Sequence, residues 1–424
     1  MNDAPTGILS VRLPLWLVAP LLIVAMLGAA GGGLLAGYLL NRPAATCPES
    51  PEICAEFAVF WEAWDLARDH YVEPEAADPE AMTAGAINGM LSTLGDEGHT
   101  RFLTAEEARL WDEALQGSFE GIGAYIAVRN GQTVIVAPIE GSPAEKAGLR
   151  PGDVILAVDG ESTEGWTVDD LRTAVRGPKG TNVTLRVLHP NETKPVELVI
   201  TRVEVEVPSV SWRMLPDNVA LIKLSSFDED AGHELKSALI AAKEQGARTL
   251  ILDLRNNPGG LLNQAVLVAS QFLPGGTPVL LQESRDGQRK TTSAEDGGVA
   301  TDLPLVVLIN ENSASSSEIV AGALQDAGRA TLIGETTFGT GTVLSQYQLS
   351  DGSRLLLGTE QWLTPAGREI RGQGIEPDEI ILLPDDVAPL TPAEAAELSA
   401  AALRNGPDAQ LGRALELATA AASR

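Results

Sequence analysis

Four serines crowd the run Ser313-Ala314-Ser315-Ser316-Ser317, between an apolar stretch, Leu305 to Ile309, and a helix-forming stretch, Glu318 to Gln325. A strand that runs into a helix presents a side chain at the helix N-terminus, where unpaired N–H groups can hold an oxyanion. The chemistry that fits is attack by a serine hydroxyl on an acyl carbon, which needs a base. The last lysine of the chain is Lys290, so no lysine downstream of these serines can serve. The residues describe a serine nucleophile whose base is altered or missing.

The elements that must hold such a site follow from the hydrophobic pattern. From Val219 onward strands and helices alternate: a strand at Val219 to Leu224, a helix at Asp230 to Glu244, a strand at Thr249 to Leu254, and a helix opened by Gly259-Gly260 and reaching Phe272. Leu305 to Ile309 and Ala330 to Ile333 continue the series, and Asp351-Gly352 joins two strands as a hairpin. Such alternation predicts a mostly parallel sheet with helices on it. Pro389 to Ala422 is an Ala-rich helical tail that caps the core or a partner.

Upstream, Ala55 to Tyr71, Ala81 to Leu94 and Ala105 to Leu115 read as helices, and Gly95-Asp96-Glu97-Gly98 breaks the second. The aromatic cluster Phe57, Phe60, Trp61 and Trp64 is expected in the core or at a dimer contact. Gly121 to about Thr201 is a unit of short strands and turns, with a hairpin signal at Asn130-Gly131, a short helix at Ser142 to Ala147 and another at Val168 to Val175.

The chain has 424 residues and a net charge of −28. That charge excludes a nucleic-acid surface, which needs clustered Lys and Arg. No metal or nucleotide motif is present, and no cofactor is expected. Leu13 to Leu40 contains no charged residue and is long enough to span a bilayer. An uncleaved anchor is favoured over a signal peptide, because no clean Ala-x-Ala site follows. Arg12 and Arg42 flank it evenly, so the short N-terminus and bulky remainder place the body outside the cytoplasm. Cys47 and Cys54, just beyond, suit a short-loop disulfide there, with free thiols as the other reading.

Two longer motifs carry a resemblance. Phe119-Glu120-Gly121-Ile122-Gly123-Ala124 is similar to a PDZ carboxylate-binding loop, and Gly141-Ser142-Pro143-Ala144 through Asp153-Val154-Ile155 is similar to the PDZ signature of processing proteases. From about Phe57 to Asp378 the chain resembles the carboxyl-terminal processing peptidases. The resemblance rests on Asp253-Leu254-Arg255-Asn256-Asn257-Pro258-Gly259-Gly260, Ser313 to Asp326, Gly334-Glu335-Thr336-Thr337-Phe338-Gly339 and Gly374-Ile375-Glu376-Pro377-Asp378. It implies a crotonase-like α/β peptidase core with an inserted PDZ domain, after an N-terminal helical region and one transmembrane helix. The expected divisions are 1–42 (tail and anchor), 43–116 (helical region), 117–203 (PDZ), 204–384 (core) and 385–424 (helical tail). It also implies cleavage of extracytoplasmic proteins near their C-termini, capture of protein or peptide C-termini as partners, and a homodimer through the N-terminal helices.

By the same resemblance Ser315 is the nucleophile, and its serine neighbours are structural or capping. The N–H of Ser316 and one from Gly259 or Gly260 form the oxyanion hole. Gly121, Ile122, Gly123 and Ala124 bind the peptide terminus, and Arg176 links that binding to the core. The family's lysine base falls at Thr340 and its supporting glutamine at Leu344. A threonine hydroxyl has no useful basicity near neutral pH. Three readings stand. In one, Ser315 works with another base, His99, which lies where the related tricorn-type peptidases carry a catalytic histidine. In the second, the protein is a tethered PDZ scaffold that binds C-termini without cutting. In the third, the least favoured, Thr340 and a bound water support very weak hydrolysis. His70, His189 and His233 are read as surface residues.

Overall fold

A computed structural model describes residues 49–96, 99–129, 132–139, 141–384 and 386–422. The anchor expected at Leu13 to Leu40, and Cys47, lie outside them. No helix among the described residues is long and apolar enough to cross a membrane. The chain divides into two compact units, Met1–Met82 and Thr83–Arg424.

In the first unit, α1 (Pro51–His70) is capped by Ser50 and opens on a proline, whose missing N–H is no loss at that position. Cys54 carries a disulfide. No residue of α1 is buried. Phe57 and Trp61 are 48% and 54% exposed, which corrects the core placement of the aromatic cluster. The four rings lie at i, i+3, i+4 and i+7, so they stack edge-on along one helix face with centroids 5.1–6.1 Å apart. Periodicity fixed the face but not what it meets.

The boundary falls within α2 (Pro79–Ser92), and the second unit goes on with β1 (Arg101–Leu103) and α3 (Ala105–Leu115), which starts at a Thr104–Glu107 capping box. There follow β2 (Ser118–Gly121), β3 (Ala124–Arg129), β4 (Gln132–Pro138), α4 (Pro143–Lys146), β5 (Val154–Val158), β6 (Glu161–Ser162), α5 (Val168–Val175), β7 (Asn182–Leu188), β8 (Val196–Thr201) and β9 (Val203–Glu206). β2 and β9 pair antiparallel, so the chain enters and leaves this module through one two-stranded neck. Within it the sheet order is β3-β4-β5-β7-β8, which leaves β3 at an edge. Ile135, Ile155, Leu171, Val183 and Leu185 fill its core. His189 is not a surface residue: it is 7% exposed, and its Nδ1 lies 2.7 Å from Oδ1 of the fully buried Asp153. The imidazole closes the β7–β8 end by giving Asp153 a partner.

The core sheet is built from β10 (Val210–Leu215), β11 (Val219–Leu224), α6 (Ala231–Glu244), β12 (Thr249–Asp253) and α7 (Leu262–Ser270), then, after β13 (Pro278–Ser284) and β14 (Arg289–Ser293), from β15 (Leu305–Ile309), α8 (Ser316–Asp326) and β16 (Thr331–Gly334). β17 (Thr342–Gln348), β18 (Arg354–Leu363), β19 (Glu379–Ile380) and the helices α9 (Pro392–Ala396), α10 (Ala400–Arg404) and α11 (Ala409–Ala422) complete the chain. The order is β10-β11-β12-β15-β16-β19, parallel except for the β10–β11 pair. Side chains alternate across each strand. Ala220, Ile222, Leu250, Leu252 and Val307 face α6, α7 and α8, while Val219, Leu221, Ile251, Val306 and Leu308 face α11. The helical tail therefore caps the core.

A second sheet, β1-β18-β13-β14 with β17 on β18, had no forecast beyond the β17–β18 hairpin. The helix expected from Gly259 begins at Leu262 instead. Gly259 and Gly260 have φ of 99° and 145°, which are not helical values.

Candidate active site

The loop from Ile309 to Ser315 is held by its own polar residues. The Ser313 hydroxyl donates to the Leu254 carbonyl at 2.8 Å, and the Ser317 hydroxyl to the Asn257 carbonyl at 2.9 Å. The Ser316 hydroxyl donates to the Gly260 carbonyl at 3.0 Å. Asn310 and Asn256 exchange hydrogen bonds across the two loops at 2.8 Å. Three of the four serines thus tie the entrance of α8 to the segment from Leu254 to Gly260. The Ser315 hydroxyl, at the N-cap of α8, donates no hydrogen bond among the described residues.

Ser315 has φ 53° and ψ −115°, a strained conformation for a residue with a Cβ. The strain is held by a carboxylate. Glu318, fully buried, accepts from five donors: Ser315 N, Thr340 N and Thr340 Oγ1 at Oε2, and Thr337 Oγ1 and Gly339 N at Oε1, at 2.6–3.0 Å. No cation pairs with it among the described residues. The converging donors replace the water it has lost, as a buried anion requires. Thr340 Oγ1 also accepts from Ser315 N at 2.9 Å. Its hydroxyl is engaged on both sides and brackets the serine's backbone.

The Gly259 N–H donates to Asn257 Oδ1 at 2.9 Å and is not available to a ligand. The N–H groups of Gly260 and Ser316 make no hydrogen bond among the described residues. Glycine is required at both positions of this turn. A Cβ on Gly259 would stand 2.8 Å from the Ser315 Cβ, and one on Gly260 2.3 Å from the Phe227 carbonyl oxygen.

Ser315 and His99 line the same two adjoining cavities, of about 130 and 630 Å³, with Gly260 and Leu344. The smaller is apolar, walled by Trp111, Leu115, Leu262, Ile319 and Trp362. Burial pushes the His99 imidazole below its ordinary value, against the pull of Asp96; Arg101 adds to the lowering. His99 Nδ1 lies 2.6 Å from Thr342 Oγ1, and that hydroxyl lies 3.1 Å from Asp96 Oδ2. Nothing in the sequence pattern pointed to Asp96 or Thr342. Their only signal was proximity to the turn before His99 and to the Phe338–Gly341 run.

In the PDZ-like module Ile122 is 2% exposed, and its carbonyl accepts from Ala144 N at 2.8 Å. Gly123 has φ 78°, and a Cβ there would fall 2.5 Å from the Ser142 Cβ. The loop Gly121–Ala124 is thus folded tightly against α4 and leads into the free edge of β3. Arg176 closes α5; its guanidinium lies over the Phe119 ring at 4.9 Å and reaches Glu113 Oε2 on α3 at 3.5 Å.

Residues 218–381 match the family model for peptidase family S41, and residues 134–188 match a PDZ domain. The chain is 38% identical over 320 residues to the carboxy-terminal processing protease CtpA of Bacillus subtilis (strain 168), covering 76% of this chain and 67% of that protein. It is 39% identical over 320 residues to a probable CtpA-like serine protease of Staphylococcus aureus (strain N315), covering 75% and 63%. The chain spans about two thirds of the length of these relatives. A putative S41 protease from Bacteroides fragilis shares the fold, with a TM-score of 0.52 at 18% identity, over 80% of this chain and 90% of that one. The chain belongs to peptidase family S41, among the CtpA-like carboxy-terminal processing serine proteases with a PDZ domain.

Proposed function

We propose that this protein is a serine endopeptidase that cuts extracytoplasmic proteins near their C-termini, with Ser315 as nucleophile and His99 as general base on a crotonase-like core. One observation carries the reading: a strained serine whose hydroxyl donates to no described residue shares a cavity with a neutral-leaning histidine, while the Thr340 hydroxyl is held between Ser315 N and Glu318 Oε2. Thr340 and Leu344 take the family's lysine and glutamine places, so the usual base is replaced rather than supplemented.

The chemical step follows from these groups. His99 takes the proton of Ser315 Oγ as that oxygen attacks the scissile carbonyl carbon. The unpaired N–H groups of Gly260 and Ser316 receive the oxyanion. The imidazolium then returns its proton to the departing amine, and water hydrolyses the acyl-enzyme by the same route. The apolar cavity beside Ser315 accepts an aliphatic side chain at the cleaved residue. The β3 edge pairs with the substrate tail as an added strand, and the Gly121–Ala124 loop receives its carboxylate. The uncharged segment Leu13 to Leu40 tethers the body to the membrane from outside the cytoplasm.

The replacement of the lysine favours a second reading, a scaffold that binds C-termini without cutting. Hydrolysis of an unstructured protein by the full chain separates them. Activity in the wild type, lost in both Ser315→Ala and His99→Gln, supports the peptidase. Tight binding of C-terminal peptides with no hydrolysis supports the scaffold.

A further inference from the structure

A histidine serves as base for Ser315 only if the nitrogen facing it carries no proton, and the tautomer is set by what the other nitrogen meets. His99 Nδ1 meets the Thr342 hydroxyl at 2.6 Å. That hydroxyl has one proton to give and two neighbours. Asp96 offers its carboxylate at 3.1 Å and 3.3 Å. An ionised carboxylate only accepts. A Thr342 proton directed at Asp96 leaves the contact with His99 to be made by Nδ1–H donating to Thr342 Oγ1.

Asp96 also faces other neighbours. Thr100 Oγ1 donates to Asp96 Oδ2 at 2.6 Å, and Arg371 Nε lies 3.8 Å from Oδ1. Thr100 is held in turn, accepting from Gly358 N at 2.9 Å. Gly358 leaves the room: a Cβ there would fall 2.9 Å from Asp96 Oδ2 and 3.0 Å from the Thr342 Cβ. Arg371 also anchors the turn by donating to the carbonyls of Leu94 and Gly95.

We propose that Thr342 is a positioning residue that relays the charge of Asp96 to His99 and holds the imidazole with its proton on Nδ1, leaving Nε2 free as the base for Ser315. This rests on the reading of His99 as base. In the acylation step the Ser315 proton moves to Nε2 while Nδ1–H stays on Thr342. The imidazolium charge is met by the Thr342 dipole and, behind it, Asp96; no proton moves along the relay. A threonine hydroxyl between histidine and carboxylate gives the orienting function that a direct carboxylate contact gives in a serine–histidine–aspartate triad.

The test reads the tautomer directly. The full chain has four histidines, so labelling with ring-nitrogen-15 histidine gives few signals, and His99→Gln assigns those of His99. The expected result near pH 7.5 is an Nδ1–H signal in the wild type. Thr342→Val should shift the population toward Nε2–H, and Thr342→Ser should restore it. Phosphonylation of Ser315 by a fluorophosphonate should fall about 10²-fold in Thr342→Val and recover in Thr342→Ser. An Nε2–H tautomer in the wild type, or an unchanged one in Thr342→Val, overturns the relay. An Nδ1–H tautomer that depends on Thr342 beside an unreactive Ser315 supports the relay and overturns the peptidase reading instead.

Discussion

Thr340 Oγ1 stands between the backbone N–H of Ser315, which it accepts at 2.9 Å, and Oε2 of Glu318, to which it donates at 2.6 Å. Twenty-five residues separate Ser315 from Thr340. The hydroxyl extends the cap that Glu318 places on the strained serine. Replacing it with the isosteric valine keeps the volume but removes one donor from a buried carboxylate and one acceptor from Ser315 N. Thr340→Val should destabilise the protein by about 2–4 kcal/mol, the cost of losing a hydrogen bond to a buried charge. Thermal unfolding measures it. An unchanged midpoint would mean that the four other donors suffice for Glu318.

The lowered His99 value has consequences for both rate and stability. Burial is its main cause. If His99 is the base, the acid limb of the Ser315 acylation rate lies below the ordinary imidazole value of about 6.5. Stability has the same sign. Below about 6.5 the unfolded chain binds a proton at this site that the folded chain does not, so stability is lost as pH is lowered until the folded value is passed, and then levels. His99→Gln should remove this share of the slope. Denaturant unfolding between pH 7.5 and 5 checks it.

Arg176 joins the PDZ domain to α3, whose Trp111 and Leu115 line the cleft. α3 is fixed on its other side by Asp112, which pairs with Arg354 of β18. A double-mutant cycle on Arg176→Ala and Glu113→Ala should give a coupling of about 1 kcal/mol, given their half-buried contact. Arg176→Ala should also weaken any stimulation of the cleft by a C-terminal peptide. Stimulation equal to that of the wild type would place the link elsewhere.

The tail matters to the sheet that carries the Ser315 loop. Arg255 is fully buried and donates to Asp253 and to Asp408, both at 2.8 Å, and to Gln410 at 3.1 Å. Its guanidinium is held above its ordinary value by the carboxylates of Asp253 and then Asp408, against the cost of burial. Asp408→Ala strands part of this buried cation next to the Asn256–Gly260 loop and should cost about 3–5 kcal/mol. Urea unfolding reads the loss, and a value under 1 kcal/mol would show that Asp253 alone neutralises Arg255.

By itself the sequence determined much of this protein. The strands Val154–Val158 and Val219–Leu224 and the helices Ala105–Leu115 and Val168–Val175 lie where periodicity and capping residues placed them. The loop that carries Ser315 was legible because its serines, and the glycines of the loop it meets, act within a few residues of themselves. Tertiary structure alone decided the partners. His189 looked like a surface residue because nothing nearby in sequence predicts Asp153, which lies 36 positions away. Thr342 reaches His99 across 243 positions, and Asp408 reaches Arg255 across 153. Hydrogen-bond partners of buried polar groups are chosen by how sheets and helices stack, and a local pattern carries no record of that. Which of the two neighbouring glycine N–H groups is left unpaired among the described residues was decided in the same way, by the Asn257 side chain folding back onto Gly259 N.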